Sequence, residues 1–272
     1  MDLAPVTGPT APTALTDVTP AIIGTSSHTI TVTLTVGSAN STAWTTTSHG
    51  GVGGNDSILG GTGNDSIYGG GGDDTINGGL GNNLLFGGSG NDYFIAGGGN
   101  DTIDGGSGTD TIDFSKASGS VKVDLHAHIA TGFGTVTIKS VENIVGSNFG
   151  DVLTGDKHNN VIVGGASNDT IRGGGGSDTL TGGGGHNTFY YAAKDIVNGA
   201  QDHITDFKLA VDKLDLAHLA KVHGLAGAQA AYTLVDKADG THVLYKGDDF
   251  VVLDNVHHLS IASLYHAHSL IL

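Results

Sequence analysis

GGTGNDSIYGGGGDDTINGG, residues 60–79, steps forward in nine-residue units, each carrying an aspartate (Asp65, Asp74) and one large apolar side chain (Ile67, Ile76). The same phase extends in both directions. From Gly51 to Asp113 the chain divides without insertion into seven units: GVGGNDSIL, GGTGNDSIY, GGGGDDTIN, GGLGNNLLF, GGSGNDYFI, AGGGNDTID and GGSGTDTID. A second block of five, GSNFGDVLT, GDKHNNVIV, GGASNDTIR, GGGGSDTLT and GGGGHNTFY, runs from Gly146 to Tyr190. A fixed period of this kind marks a stack of short structural units that bury a continuous core only against their neighbours. A flexible glycine-rich linker would not hold such a phase.

Each position of the unit has a physical task. The eighth is Ile58, Ile67, Ile76, Leu85, Phe94, Ile103 and Ile112, then Leu153, Ile162, Ile171, Leu180 and Phe189, one inward side chain per short strand. The first and fourth are mostly glycine, the fourth being Gly54, Gly63, Gly72, Gly81, Gly90, Gly99 and Gly108 in the first block, which tolerates positive φ and lets carbonyl oxygens turn toward a common point. The sixth is Asp56, Asp65, Asp74, Asn83, Asp92, Asp101 and Asp110, followed in the second block by Asp151, Asn160, Asp169, Asp178 and Asn187. Carboxylates beside clustered carbonyls are the donors that calcium takes. The first block has nine aspartates and no Lys, Arg or Glu, so stacking it without a cation sets like charges side by side. The sequence therefore predicts a chain that is largely disordered without calcium and folds on binding several calcium ions.

Composition excludes other classes. With 47 glycines, 6% aromatics and a formal net charge of −16, no ordinary globular core fills the 272 residues. Residues 1–115 contain no Lys or Arg, which argues against a nucleic-acid partner. Cysteine is absent, and no stretch approaches a membrane span. The N-terminus lacks the pattern of a cleaved secretory signal, so export would use another route. No HExxH, GxSxG or P-loop motif is present, and about 50 residues precede the repeats, too few for a catalytic domain. The expected domain order is a Thr/Pro-rich segment over 1–27, a β-strand cap over 28–50, the two blocks at 51–113 and 146–190 with an irregular β connector over 114–145 between them, and a C-terminal cap over 191–272. In that cap DHITDFKLAVDKLDLAHLAKVHG reads as a strand with a short helix, and THVLY and DFVVLDNV read as strands.

The units resemble the GGxGxDxUx nonapeptide of RTX (repeats-in-toxin, or hemolysin-type) calcium-binding proteins, and VENIVGSNFGDVLTG and DHITDFKLAVDKLDL resemble segments beside such repeats in secreted proteins of the serralysin and epimerase kind. The resemblance implies an all-β fold, a right-handed parallel β-roll (β-solenoid) with two nonapeptides per coil, N- and C-terminal caps, and calcium between the turns of units n and n+2. It would pair Asp56 with Asp74, Asp74 with Asp92, and Asp92 with Asp110 on one edge, with Asp65, Asn83 and Asp101 on the other. In the second block it would pair Asp151 with Asp169 and Asn160 with Asp178. Asn83, Asn160 and Asn187 lose the charge and imply weak or empty sites, and Phe149, His158 and Ser167 at the fourth position put the turn geometry there in question. The resemblance further implies type I secretion machinery as a partner, with a C-terminal signal in SLYHAHSLIL and folding delayed until extracellular calcium, which such modules bind at roughly 0.1 to 1 mM.

The function expected is that of a secreted, non-catalytic calcium-binding protein with a structural, cell-surface or adhesion and biofilm role, open to cell-surface polysaccharide or self-association. The alternative is the C-terminal calcium-binding and secretion module of an RTX enzyme of metalloprotease, lipase or epimerase type; the initiating Met1 favours a complete short protein. A membrane-active toxin ranks below both for want of apolar helices. His126 with His128, and His266 with His268, have the i, i+2 spacing that on a strand turns two rings to one face for zinc or nickel, against the plainer reading of solvated surface histidines. The row Thr29, Thr31, Thr33 and Thr35 reads as an ordinary exposed sheet face rather than a water-ordering ladder.

Overall fold

The computed structural model describes residues 31–33, 47–49, 53–197, 199–219 and 224–272. The expected linker over 1–27 and most of the threonine-rich strand lie outside them. Among the described residues the chain forms two 12-stranded sheets that face each other as a parallel β-roll. A period of nine leaves room for one short strand, of three residues on one sheet and six on the other in the first block, and one turn, so successive units fall on opposite sheets and units two apart become neighbours. Ser57–Leu59, Thr75–Asn77, Tyr93–Ile95 and Thr111–Asp113 pair in register on one sheet. Ser66–Gly71, Leu84–Ser89 and Thr102–Ser107 pair on the other.

The register stacks the eighth positions into two inward ladders. One runs Ile58, Ile76, Phe94, Ile112, Ile144, Ile162, Leu180, Ile204. The other contains Ile67, Leu85, Ile103 and Ile138, and resumes through Val123, Leu153, Ile171, Phe189 and Leu214. All are buried, so a thin core of single side chains spans the stack.

Between the blocks the two sheets behave differently. The first passes from Thr111–Asp113 straight to Asn143–Val145 and Val161–Gly165. The second takes Thr135–Lys139, Ile129–Thr131 and Lys122–Asp124 in reverse chain order, the middle strand antiparallel to both neighbours. A loop through Gly132 and Gly134, both at positive φ, makes that reversal.

Toward the C-terminus, Asp202–Ile204 and Lys213–His218 are both strands, and the helix begins only at Gly224, running to Ala231. The expected helix is thus displaced, because Leu214 and Leu216 alternate with Lys213 and Asp215 at the strand period and both leucines are buried. Tyr232–Asp236, Gly240–Tyr245 and Asp248–Asp254 form an antiparallel meander that joins the first sheet through Asp202–Ile204. Helix Ile261–His266, capped by Ser260 and Ser263, leads to Leu270–Ile271, which pairs with Lys213–His218. At the other end Thr31–Thr33 and Thr47–His49 pair in parallel with Ser57–Leu59 and Ser66–Gly71.

Candidate metal centre

The turns repeat one geometry along both edges of the roll. All seven fourth-position glycines of the first block have positive φ, from 111° at Gly72 to 143° at Gly54. The sixth-position side chains form a buried ladder in which a backbone N–H donates to a side-chain oxygen of the unit 18 residues on. Asp56 donates to Asp74 at 2.8 Å, Asp74 to Asp92 at 2.8 Å and Asp92 to Asp110 at 2.7 Å. On the other edge Asp65 donates to Asn83 at 3.0 Å and Asn83 to Asp101 at 2.8 Å. Asp151 donates to Asp169, and Asn160 to Asp178, each at 2.8 Å. Every pair expected from the sequence is adjacent in space.

Only one oxygen of each carboxylate serves the ladder. The Oδ2 atoms of Asp65, Asp74, Asp92, Asp110, Asp169 and Asp178 are buried without a hydrogen-bond partner. They point at the first-position glycines. A Cβ placed on Gly69 would run into Asp74 Oδ2 and the Gly87 carbonyl oxygen, and one on Gly87 into Asp92 Oδ2 and the Gly105 carbonyl oxygen. Gly164 faces Asp169 Oδ2 and the Gly182 carbonyl in the same way. The expectation that first-position glycines serve positive φ is corrected here: Gly69, Gly87 and Gly164 are absent from the left-handed set, which the second position (Gly70, Gly88, Gly165) joins instead. The first position must be small because a carboxylate and a carbonyl meet against it. Ala96 fills that position in one unit, and there Asp101 is not among the aspartates with a buried, unpartnered oxygen.

Buried anionic oxygens converging with backbone carbonyls, and no base among them, fit a hard divalent cation. Among the described residues no group of three or more His, Cys, Asp or Glu side chains is arranged to hold a metal ion by itself, so carbonyl oxygens would have to complete any ligand set. Asn83 departs in an informative way. Its Oδ1 accepts from Asp65, which turns an unpartnered Nδ2 donor toward Gly78, where sister units present an acceptor.

Burial raises the carboxyl pKa of Asp74, Asp110 and Asp169 to about 6, partly offset by the ladder hydrogen bond and reinforced by neighbouring carboxylates. Asp178 and Asp202 are raised too, each by burial first, Asp178 then by repulsion from Asp156 and Asp195 and Asp202 by repulsion from Asp178. A folded-state value above the ordinary 3.8 means that the calcium-free roll holds protons the unfolded chain releases. Its stability should rise as pH falls from about 6 to about 4, level off below, and be lost as pH climbs back through about 6. Circular dichroism in chelator should show more β signal at about pH 4 than at about pH 7.5, and equal signals would contradict this.

The second block is less uniform. Asp151 accepts from Val121 N–H at 2.7 Å, Ser147 N–H at 2.6 Å and Ser147 Oγ at 2.8 Å, and Asn160 accepts from Asp156 N–H at 2.9 Å, so both turns satisfy their own side chains. Phe149, His158 and Ser167 do not take positive φ. Ser147 and Asp156, at the second position, bond the Phe149 and His158 amides instead.

Three ladder carboxylates escaped the sequence reading. Glu142 accepts from Asp110 N–H at 2.8 Å, Asp202 from Asp178 N–H at 2.8 Å and Asp212 from Asn187 N–H at 2.9 Å. Their spacings of 32, 24 and 25 residues hide them from a nine-residue search. A second, exposed ladder at the fifth position runs in the opposite sense, with Asp73 N–H donating to Asn55 and Asn91 N–H to Asp73. The Asn that recurs at the fifth position, as Asn55, Asn64, Asn82, Asn91 and Asn100, was its only signal in the sequence.

The histidine pairs do not sit on strands. His126 and His128 lie in the turn between Lys122–Asp124 and Ile129–Thr131, both exposed, with His128 at φ 60°. His266 ends a helix and His268 follows in a turn at φ 56°. The same-face argument for a transition metal therefore fails on backbone geometry.

The family model of the RTX calcium-binding nonapeptide repeat matches the chain in four copies, over residues 50–85, 80–112, 141–171 and 154–189. No curated protein matches the sequence. Among solved structures, the chain is similar to the extracellular lipase LipA from Serratia marcescens, with 21% identity and a TM-score of 0.33, over 80% of this chain and 40% of the lipase. It thus spans well under half of that protein's length. It is also similar to the AlgE6R3 subunit of the Azotobacter vinelandii mannuronan C5-epimerase, with 19% identity and a TM-score of 0.15, over 86% of this chain and 83% of that one. Among the described residues no helix is long and apolar enough to cross a membrane.

Proposed function

Given that the chain carries RTX calcium-binding nonapeptide repeats through residues 50–112 and 141–189, and so binds calcium ions, we propose that it is a secreted protein whose roll folds on extracellular calcium and which serves a structural, cell-surface or adhesion role. The ligands in this reading are the sixth-position side chains Asp56, Asp65, Asp74, Asp92, Asp101, Asp110, Asp169 and Asp178, with carbonyl oxygens of the glycine turns; Asn83, Asp151 and Asn160 hold calcium weakly or not at all. The observation that carries it is the set of buried, unpartnered Oδ2 atoms facing carbonyl oxygens across the first-position glycines. When bound, calcium supplies the positive charge that these turns lack. The chain's own part is to hold each carboxylate in register through the ladder. No catalysis is assigned to it. Export through type I machinery by a C-terminal signal belongs to the same reading. In this fold the Leu270–Ile271 part of that segment is docked as a strand, so the machinery would meet it before folding.

Isothermal titration tests the ligand assignment. Asp74→Ala removes a carboxylate that faces its own cradle and also accepts from Asp56, and should abolish at least one site and weaken its neighbour tenfold or more. Asn83→Ala should leave the calcium stoichiometry unchanged. Equal effects of the two substitutions would overturn the assignment.

A further inference from the structure

On this edge of the first block six residues, Gly105–Asp110, separate Asp104, at the third strand position of its unit, from Thr111, the first strand position of the next. One rung on, Lys139 pairs with Asp104 and Asn143 with Thr111, so Ser140, Val141 and Glu142 make the same crossing in three residues. The shortened turn keeps both ends of the pattern. The Ser140 carbonyl oxygen stands at Gly105 beside Asp110 Oδ2, where a Cβ would collide with both, as the Gly105 carbonyl does at Gly87 one rung earlier. Glu142 takes the sixth-position role: Asp110 N–H donates to its Oε2 at 2.8 Å, and Glu142 N–H donates back to the Asp110 carbonyl at 3.1 Å. Its own carbonyl accepts from Asn160 Nδ2 at 2.6 Å, so the second block rests directly on it.

Two further features mark this crossing. Asp110 is 1% exposed and its Oδ2 has no partner. Ser140 holds φ 49°, a left-handed conformation that a serine adopts at a cost, and this conformation sets its carbonyl in the shortened turn. Glu142 is also the chain's single glutamate, one methylene longer than the aspartates of the regular turns.

We propose that Asp110 and the Ser140 carbonyl hold a calcium ion, with Glu142 adding charge and fixing Asp110, so that this ion fastens the second repeat block to the first. The inference rests on the calcium reading of the regular turns. It is tested on the full chain by calcium titration and by hydrogen exchange at saturating calcium. Asp110→Asn keeps the ladder acceptor and removes the charge; it should lower the stoichiometry by one and speed exchange of Asn143–Val145 at least tenfold. Glu142→Gln should weaken one site about tenfold, while Ser140→Gly, which keeps the carbonyl and relieves the backbone, should keep the wild-type stoichiometry. Wild-type stoichiometry and exchange in both Asp110→Asn and Glu142→Gln would overturn the junction site. If Asp74→Ala loses a site in the same assay, that failure is confined to the junction. If Asp74→Ala is also silent, the calcium reading of the turns falls with it.

Discussion

Chelating calcium at neutral pH should turn the folded protein into a largely disordered chain, with loss of the β-type far-UV circular dichroism signal and recovery when calcium is returned. Six aspartates bury an unpartnered Oδ2: Asp65, Asp74, Asp92, Asp110, Asp169 and Asp178. An uncompensated buried charge costs several kcal/mol, and a whole domain is stable by only about 5–15 kcal/mol. The first block offers no Lys or Arg to neutralise them and contributes one large core residue per nine, so nothing else in it offsets that cost. Protonation supplies a partial remedy only toward pH 6, where Asp74, Asp110 and Asp169 titrate. A full β signal in excess chelator at neutral pH would overturn the coupling of calcium to folding.

Gly81→Ala should destabilise the calcium-bound roll by roughly 3 kcal/mol or more, the upper range for a residue forced into glycine-only backbone space, read as a lower denaturant midpoint at fixed calcium. Gly81 has φ 120°. A Cβ there would overlap the Gly63 carbonyl and approach Asn64 Oδ1 at 3.1 Å. The obstruction is backbone, not a side chain that can swing away. Rungs on both sides hold it: Gly63 N–H bonds Leu80 O at 2.8 Å and Gly81 N–H bonds Gly98 O at 3.0 Å. Gly119→Ala is the comparison, since its Cβ would meet no atom of the described residues within 4 Å, and it should cost less than about 0.5 kcal/mol. A Gly81→Ala variant as stable as Gly119→Ala would show that the turns are not stacked as closely as the fold requires.

Much of this was legible from residues because the repeat makes local and global order the same thing. Ile67 and Asp65 recur with a period that also sets which units become neighbours, so finding the period identified the inward row and the ladder row together. Where the period breaks, legibility ends. Glu142, Asp202 and Asp212 occupy ladder positions that no spacing rule reaches, because insertions and a shortened turn change the count while the sheet register is kept. The reversed strand order across Lys122–Asp124, Ile129–Thr131 and Thr135–Lys139 is a choice among pairings that alternation alone does not rank. The run Lys213-Leu214-Asp215-Leu216-Ala217-His218-Leu219 suits either a helix or a strand by its leucine spacing, and the open sheet edge beside Thr188–Ala192 decides for a strand.

By itself the sequence determined the unit, its two faces and its need for a cation, since those follow from nine residues and the chemistry of Asp, Gly and Ile. Only the tertiary structure decided which oxygen of each carboxylate is spent on a neighbour's amide and which is left for a cation. That choice depends on the neighbouring rung: at Asp110 it is Ser140 and Glu142 that complete the arrangement, and at Asp151 the Val121 amide joins Ser147 of its own turn to close it. Two identical aspartates in one sequence pattern thus become different chemical groups because stacking gives them different neighbours.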